Sequence, residues 1–520
     1  MKSQLTAWLQ RHRSSTRLAY LLQLASRVIS TGLSLLWTRW LLEAMGKSLY
    51  GSFVSFQAVA ALGGLGDLGM GGAVGLRVGQ HLGEKNEQAL ERFLAAARAV
   101  FLSLAVVGSL VFLALAPWLP QLLGFESVPG TGSLTLLFAL AAPAVALMVL
   151  HSYVNNLNSA GLNLVWPILP PLVLGQLALL SHTLLARAQS PLWMQYTPYL
   201  VASVIGLGLG WLLLRRGCPE LAHFRPLTMD WPLWQSLLAR SWWVYLYGLG
   251  TYIYTTTDRL IINAGFGPEQ VPLYQLNYKV CELAMFAVVT SSAVAMPKIT
   301  QWFASPEPAD RVRAIEEAER LNQFQAFTGC VAALVYLAGN DWFMRWWLGE
   351  SMQAPVEWQI AFALNLAITT GTQTALDLTA RVSDRGLRAG GIAIASTALL
   401  NLGLSLAAMK AGSILGIAAA TVVAQLLRGW LVTRYTTQKL NLRPGVWLVR
   451  GALMPLGIVL LAGVARMHVA PVNAGNAVLL VGGYALLAGV AAVTLGITPD
   501  LIRKELAIVT GMFGRENGKK

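Results

Sequence analysis

Charged side chains set inside long apolar stretches are the residues of this sequence most able to do chemistry. Arg27 lies deep in the stretch at 18–42 and Arg39 near its far end; Asp258 and Arg259 are adjacent in the stretch at 241–264; Lys279 and Glu282 are three apart in the stretch at 272–297. An ionisable group at hydrocarbon depth costs about 2.5–3.5 kcal/mol on insertion scales, so each must face a partner or a polar cavity. Adjacent helical positions point about 100° apart, so Asp258 and Arg259 cannot satisfy each other face to face, whereas Lys279 and Glu282 share a face. That second pair either neutralises itself or presents a cation tuned by the carboxylate. Cations held away from water are suited to phosphate oxygens, which makes Arg27, Arg259 and Lys279 candidate anion ligands, with Arg39 added although its position also allows snorkelling to the boundary. Asp67, within Gly66-Asp67-Leu68-Gly69, and Asp377 lie near the ends of their stretches and are expected to pair with Arg77 and Arg381. Asp67, Asp258, Glu282 and Asp377 are the carboxylates available to couple or gate a transport step.

A second population is aromatic and amide. Trp242, Trp243, Tyr245, Tyr247, Tyr252 and Tyr254 run through one apolar stretch, too many and too deep for an interfacial belt. Asn155, Asn156 and Asn158 end another stretch, and Gln275, Asn277 and Tyr278 begin a third. Tyrosine rings stack on pyranose faces while hydroxyls and amides hydrogen-bond sugar hydroxyls, so Tyr245, Tyr252, Tyr254, Asn155, Asn277 and Tyr278 are candidate sugar ligands; plain packing is the competing reading for each. His151 and His182 read as structural histidines. The sequence has no Gly-x-x-x-x-Gly-Lys-Ser/Thr phosphate loop, no nucleophile elbow and no metal-like spacing of His, Cys or carboxylates around its three cysteines. Neither an enzyme nor a cofactor or metal is expected.

The elements that must position these residues are membrane spans. Of 520 residues, 55% are hydrophobic and 12% charged, roughly half the usual charged share. The apolar stretches fall at 18–42, 49–76, 93–117, 133–157, 163–186, 194–214, 241–264, 272–297, 324–348, 356–378, 388–409, 412–433, 446–466 and 476–497. Each is long enough to cross about 30 Å of hydrocarbon. They lack period-two alternation, which excludes a β-barrel and leaves an all-α polytopic membrane protein of about fourteen helices. The net charge of +14 is concentrated on one side of this arrangement, from Arg11 and Arg13 through Arg215 and Arg216 to Lys519 and Lys520, with only Lys47, Arg187, Arg345, Lys410 and Arg466 opposite. That asymmetry places both termini in the cytoplasm and makes the basic balance a matter of topology rather than nucleic-acid binding. The first apolar stretch is too long for a cleavable leader, and residues 1–17 read as an interfacial segment.

Two halves repeat. Arg39-Trp40-Leu41-Leu42, Gly46 and Leu49-Tyr50 are echoed by Arg259-Leu260-Ile261-Ile262, Gly267 and Leu273-Tyr274. An even number of spans per repeat makes the halves parallel, related by an axis along the membrane normal. The predicted organisation is an interfacial segment (1–17), a first lobe (18–216), a linker (217–236), a pseudo-symmetric second lobe (237–440), and a helix pair with a cytoplasmic tail (441–520). The charged stretch from Glu307 to Arg320 reads as a solvated helix.

Leu49-Tyr50-Gly51 followed by Gly66-Asp67-Leu68-Gly69 resembles the second-helix pattern of polysaccharide transporters of the O-antigen flippase type. Thr257-Asp258-Arg259-Leu260-Ile261-Ile262, with Gly267 and Leu273-Tyr274, is similar to the start of the second half in that family. It belongs to the multidrug, oligosaccharidyl-lipid and polysaccharide (MOP) flippase superfamily. The resemblance implies a two-lobed bundle with a central cationic cavity, working by alternating access in the bacterial inner membrane. The implied cargo is an undecaprenyl-diphosphate-linked oligosaccharide for surface polysaccharide or lipopolysaccharide synthesis, with membrane lipids and a polysaccharide polymerase and export machinery as partners. On that reading Arg27, Arg259 and Lys279 meet the diphosphate, and the last two helices offer the polyprenyl tail a groove. A drug or organic-cation antiporter would want an acidic cavity, and a glycan polymerase or ligase a sizeable catalytic loop, for which the outer loops leave no room.

Overall fold

Backbone groups at hydrocarbon depth have no water to bond, so apolar runs of this length satisfy their N–H and C=O groups within helices. A computed structural model of the chain describes residues 16–83, 86–125, 129–222, 227–228, 230–443, 445–469 and 474–497. Its long helices are α1 (Thr16–Ala60), α2 (Met70–Gly83), α3 (Glu87–Leu115), α4 (Ala141–Ala160), α5 (Leu169–Arg187), α6 (Leu192–Gly217), α7 (Trp231–Phe266), α8 (Gln270–Ala304), α9 (Pro308–Leu348), α10 (Val356–Arg381), α11 (Asp384–Lys410), α12 (Ile414–Leu440), α13 (Met454–His468) and α14 (Ala474–Thr494). The architecture is that of an all-α polytopic membrane protein. Among the described residues, nine helical segments are both long and apolar enough to cross a membrane. Helices α7, α8 and α10 are as long, but their internal Tyr, Thr, Asn and charged residues lower the mean hydropathy.

By contacts the chain forms two compact units, one from Met1–Tyr252 with Arg259–Pro272, the other from Ile253–Asp258 with Leu273–Lys520. In the first unit α1 is broken at Gly46 (φ 72, ψ 171), a backbone conformation open only to glycine, so it comprises two helical legs where two spans are expected. Its second leg ends earlier than the predicted span 49–76. The helix passes through a 3-10 turn at Ala61–Leu65, and the chain turns through Leu68 (φ 51) and Gly69 (φ 72) before α2 begins. Asp67 is the cause: its two carboxylate oxygens accept the backbone N–H groups of Gly69 at 2.9 Å and Gly71 at 3.3 Å, capping α2. The Ser152 hydroxyl of α4 donates to the same carboxylate at 2.5 Å. The expected partner Arg77 is replaced by backbone amides and a serine. Asp67→Ala removes a helix cap worth about 0.5–2 kcal/mol together with the tie to α4. It should lower the melting temperature of the detergent-solubilised protein by several degrees, and an unchanged melting curve would show that the break does not depend on this carboxylate.

Behind that break, Met70, Val74, Phe93, Leu94, Phe101, Tyr153, Leu157 and Leu214 from α2, α3, α4 and α6 form the first unit's main buried cluster. His182 of α5 is fully enclosed, its Nδ1 2.9 Å from the Tyr199 hydroxyl and its ring 4.2 Å from that of Phe53, edge to face, which is a packing role. Gly51, next to the paired Leu49-Tyr50, is there for space: a Cβ on it would lie 1.8 Å from the carbonyl oxygen of Pro268.

In the second unit α9 is one continuous helix of 41 residues whose charged first turns, the predicted solvated helix, lead straight into the apolar part. Helix α13 is entered through a π-helical stretch, Val446–Leu453, in place of the α-helix expected from 446. A Cβ at Gly371 of α10 would sit 2.0 Å from the carbonyl oxygen of Gly451, so the wide turn lies against the backbone of a neighbouring helix.

The two halves share backbone detail. Gly267, which ends α7, has φ 86 and ψ 163, nearly the values of Gly46. Beyond each glycine the tyrosine of the Leu-Tyr pair is buried, and each is hydrogen-bonded to the residue that precedes the repeated arginine: Tyr50 to Thr38, and Tyr274 to Asp258.

Candidate functional site

Asp258 on α7 is a buried carboxylate, 7% exposed. Its Oδ2 accepts the Tyr274 hydroxyl of α8 at 2.8 Å and lies 3.1 Å from Thr421 Oγ1 of α12, which is itself 3.2 Å from Asn401 Oδ1 of α11 and 3.4 Å from the Ile417 carbonyl oxygen. Thr421 has one hydroxyl proton and three acceptor oxygens around it, so it can satisfy only one at a time. A carboxylate held among hydroxyl and amide groups from several helices is a group that can take up a proton or a small hard cation. Four helices converge on this point. Asn401 and Thr421 are not charged, and a search for buried charge alone passes over them.

The candidate cations are carried by α1, α7 and α8. Arg259, half-buried, lies close enough to Tyr50 and Tyr252 for its charge to act on both hydroxyls, and the Tyr252 hydroxyl donates to the Ala58 carbonyl oxygen at 2.6 Å. Lys279 and Glu282 are both half-buried on α8. Arg39 pairs with Glu43 one turn on at 2.9 Å, with both side chains about half exposed (50% and 56%), a surface ion pair of small energy. Arg27 belongs to α1, and its side chain lies outside the described residues.

The candidate sugar ligands divide sharply. Asn155 is exposed and lines a cavity of about 480 Å³ in the first unit with Gln57, His151, Tyr196, Tyr199 and Ser203; His151 Nε2 there meets the Ser203 carbonyl oxygen at 2.9 Å. Tyr245 is half-buried and stacks on Trp242 with 5.5 Å between ring centres. Tyr278 is half-buried and accepts the Asn365 amide at 2.9 Å. Asn277 is different: fully buried, its amide donates to the carbonyl oxygens of Leu273 (2.7 Å) and Met352 (2.9 Å) while its own oxygen accepts from Asn340 (2.9 Å). Both amide hydrogens are committed and the oxygen is occupied, so in this arrangement it braces the second unit. Tyr254 is 4% exposed, its hydroxyl on the Ala424 carbonyl oxygen at 3.2 Å and its ring beneath the guanidinium of Arg428 at 5.6 Å. It too is a packing residue here. Asp377 is buried among Ser292, Gln373 and Arg381, so its expected neighbour Arg381 is present but shares the carboxylate with two neutral donors.

Three further charges are buried in the spans, two of which, Arg98 and Arg466, the charge pattern would place at the membrane faces. Arg98 of α3 (7% exposed) lies near enough to the Tyr153 hydroxyl for its charge to act on it, and Arg428 of α12 (7%) covers Tyr254. Arg466 of α13 (4%) pairs with Asp341 of α9, whose other oxygen accepts Gln359 Nε2 at 2.6 Å. The pair ties α9, α10 and α13 together. Losing one member leaves a charge without its partner, at a cost below the about 3–5 kcal/mol of a fully buried pair because Asp341 is a quarter exposed. Arg466→Met should therefore lower the melting temperature markedly, and Arg466→Met with Asp341→Leu should restore most of it. Equal melting of the single and double variants would mean that the pair holds nothing together.

The chain is a polytopic helical membrane protein, and its fold is similar to that of solved transporters. Over 94% of this chain and all of the other, the structure superposes on the lipid II flippase MurJ in its inward closed conformation, with a TM-score of 0.63 and 15% identity. An inward-facing multidrug resistance MATE family transporter matches 75% of this chain and 93% of its own, with a TM-score of 0.59 and 12% identity. A MOP superfamily transporter from Pyrococcus furiosus matches 84% of this chain and 98% of its own, with a TM-score of 0.51 and 10% identity. At these identities the likeness is one of fold. No family model matches the sequence, and no curated protein matches it either.

Proposed function

We propose that this protein is a flippase that carries a polyprenyl-diphosphate-linked oligosaccharide across the bacterial inner membrane by alternating access, for cell-surface polysaccharide such as O-antigen. The observation that carries the reading is the correspondence with a lipid II flippase over 94% of this chain and all of the other, whereas the MATE transporter matches 75% of the chain. The bias of the deep charges supports it: Arg27, Arg259 and Lys279 suit a diphosphate, and Asp258 and Glu282 leave the set short of the acidity a cationic drug would need. In this reading Arg259 and Lys279 bind the diphosphate with Arg27, Arg39 being the weakest member of the set. Tyr245, Tyr278 and Asn155 meet the glycan, with Tyr252 beside Arg259. Asp258 is the coupling group, taking up a proton or a small cation among Tyr274, Thr421 and Asn401. Asp67 and Asp377 hold helix ends, and Glu282 tunes Lys279. Both termini face the cytoplasm, and a polysaccharide polymerase receives the product.

The test is reconstitution in liposomes with a labelled polyprenyl-diphosphate oligosaccharide and no nucleotide. Movement of the label between leaflets, faster with an imposed proton or sodium gradient, is the expected result. Gradient-driven uptake of organic cations with no movement of the lipid-linked sugar would replace this reading with that of an antiporter.

A further inference from the structure

A groove on the outer face of the first unit, between α3, α4 and α6, is open where a protein core would be filled. Its volume is about 450 Å³, and Leu102, Leu150, Val204 and Leu207 give it aliphatic walls. A Cβ placed on Gly208, which also lines it, would meet nothing within 4 Å. Leu102 is 36% and Val204 56% exposed, so the groove faces the surroundings of the unit along helices apolar enough to span a membrane. Its polarity is confined to one end. Helix α3 runs opposite to α4 and α6, so Arg98, Tyr153 and Trp211 come to the same level, one to two turns from Leu102, Leu150 and Val204.

Among the described residues Arg98 is the one charged residue of the lining; it is 93% enclosed and near enough to the Tyr153 hydroxyl for its charge to act on it. The exposed Arg215 and Arg216, one turn beyond Trp211, continue the positive end; Glu87, Glu91 and Glu220 are the carboxylates of the same helix ends. A guanidinium beside a phenol at the level of an interfacial tryptophan, with an alkyl-width channel leading toward mid-membrane, complements a phosphate that carries an acyl chain.

We propose that this groove holds one acyl chain of an anionic phospholipid, with its phosphate on Arg98 and Tyr153, as a resident lipid distinct from any transported cargo. Burying the chain fills an apolar space that offers water few polar partners, and the charge-assisted hydrogen bonds select the headgroup.

The experiment uses the full chain, stripped of lipid in mild detergent and titrated with phosphatidylglycerol, phosphatidylcholine of the same chains, and undecaprenyl phosphate, read by native mass spectrometry and by melting temperature. Phosphatidylglycerol should bind as one tightly held molecule, about tenfold better than phosphatidylcholine. Arg98→Gln should bring the two lipids to equal affinity. Gly208→Leu should fill the groove and abolish the tight binding of both without changing the melting of the lipid-free protein, and it decides the matter if Arg98→Gln does not fold. Equal binding of the two lipids by the unaltered chain, or full binding by Gly208→Leu, overturns the proposal. So does displacement of phosphatidylglycerol by an equal amount of undecaprenyl phosphate, which would give the groove to the cargo. A dimer that phosphatidylglycerol leaves intact and that Gly208→Leu dissociates would give it to a second copy of the chain. None of these readouts involves transport, so failure here leaves the flippase reading standing.

Discussion

Arg259→Ala should leave the protein folded and in the membrane while lowering the rate of lipid-linked glycan movement at least about 30-fold, the loss expected when one charge of an enclosed, hydrogen-bonded ionic contact is truncated. Arg259 sits beside two tyrosine hydroxyls, Tyr50 and Tyr252. Those hydroxyls have other partners in Thr38 and the Ala58 carbonyl oxygen, so the local packing survives without the guanidinium. Arg259→Lys keeps the charge but not the fork that grips two phosphate oxygens, and should fall between the two. The measurement is the initial rate in the liposome assay at matched protein density. Full activity in Arg259→Ala and in Arg27→Ala with Arg259→Ala would remove the diphosphate assignment.

Asp258→Asn is expected to act on energy rather than on cargo. The amide oxygen can still accept the Tyr274 hydroxyl, so the fold should hold to within about 1–2 kcal/mol. What goes is the carboxylate's ability to exist in two charge states. Transport should drop at least about tenfold and lose its acceleration by an ion gradient, while binding of the lipid-linked sugar at equilibrium is retained. Thr421→Val, which withdraws one oxygen from beside the same carboxylate, should weaken the gradient effect without abolishing it. An Asp258→Asn protein that still responds fully to a gradient would move the coupling role elsewhere, with Asp377 a carboxylate enclosed to the same degree.

How much of this could be read from the residues alone depended on which interactions are local. Apolar stretches of span length gave the helices, because in a membrane the backbone has no other way to satisfy itself. Gly46 and Gly267 gave the turns, because their positive φ is open to few other residues. The break of the second span at Asp67 was hidden: its carboxylate could be seen as a charge in need of a partner, but that the partners are the N–H groups of Gly69 and Gly71 and the hydroxyl of Ser152 is settled only once α4 is in place. The same holds for Asn277, whose commitment to Met352 and Asn340 depends on neighbours distant in sequence. Asp258 was visible as a buried charge, whereas Asn401 and Thr421 around it were not, since a neutral side chain in a helix carries no local mark of what it faces. Arg98 and Arg428 lie within a turn or two of a span end, where snorkelling of an arginine explains a charge cheaply, so their burial shows only once the neighbouring helices are in place.

The hydrogen bond that each half makes with the tyrosine after its outer turn ends on a hydroxyl in one copy, Thr38, and on an acid in the other, Asp258. The two repeated positions thus carry a single acid between them, and on the proposed reading this clasp takes one ion per cycle. A Thr38→Asp chain would carry two, and the steepness with which its rate follows ion concentration should rise from first order toward second.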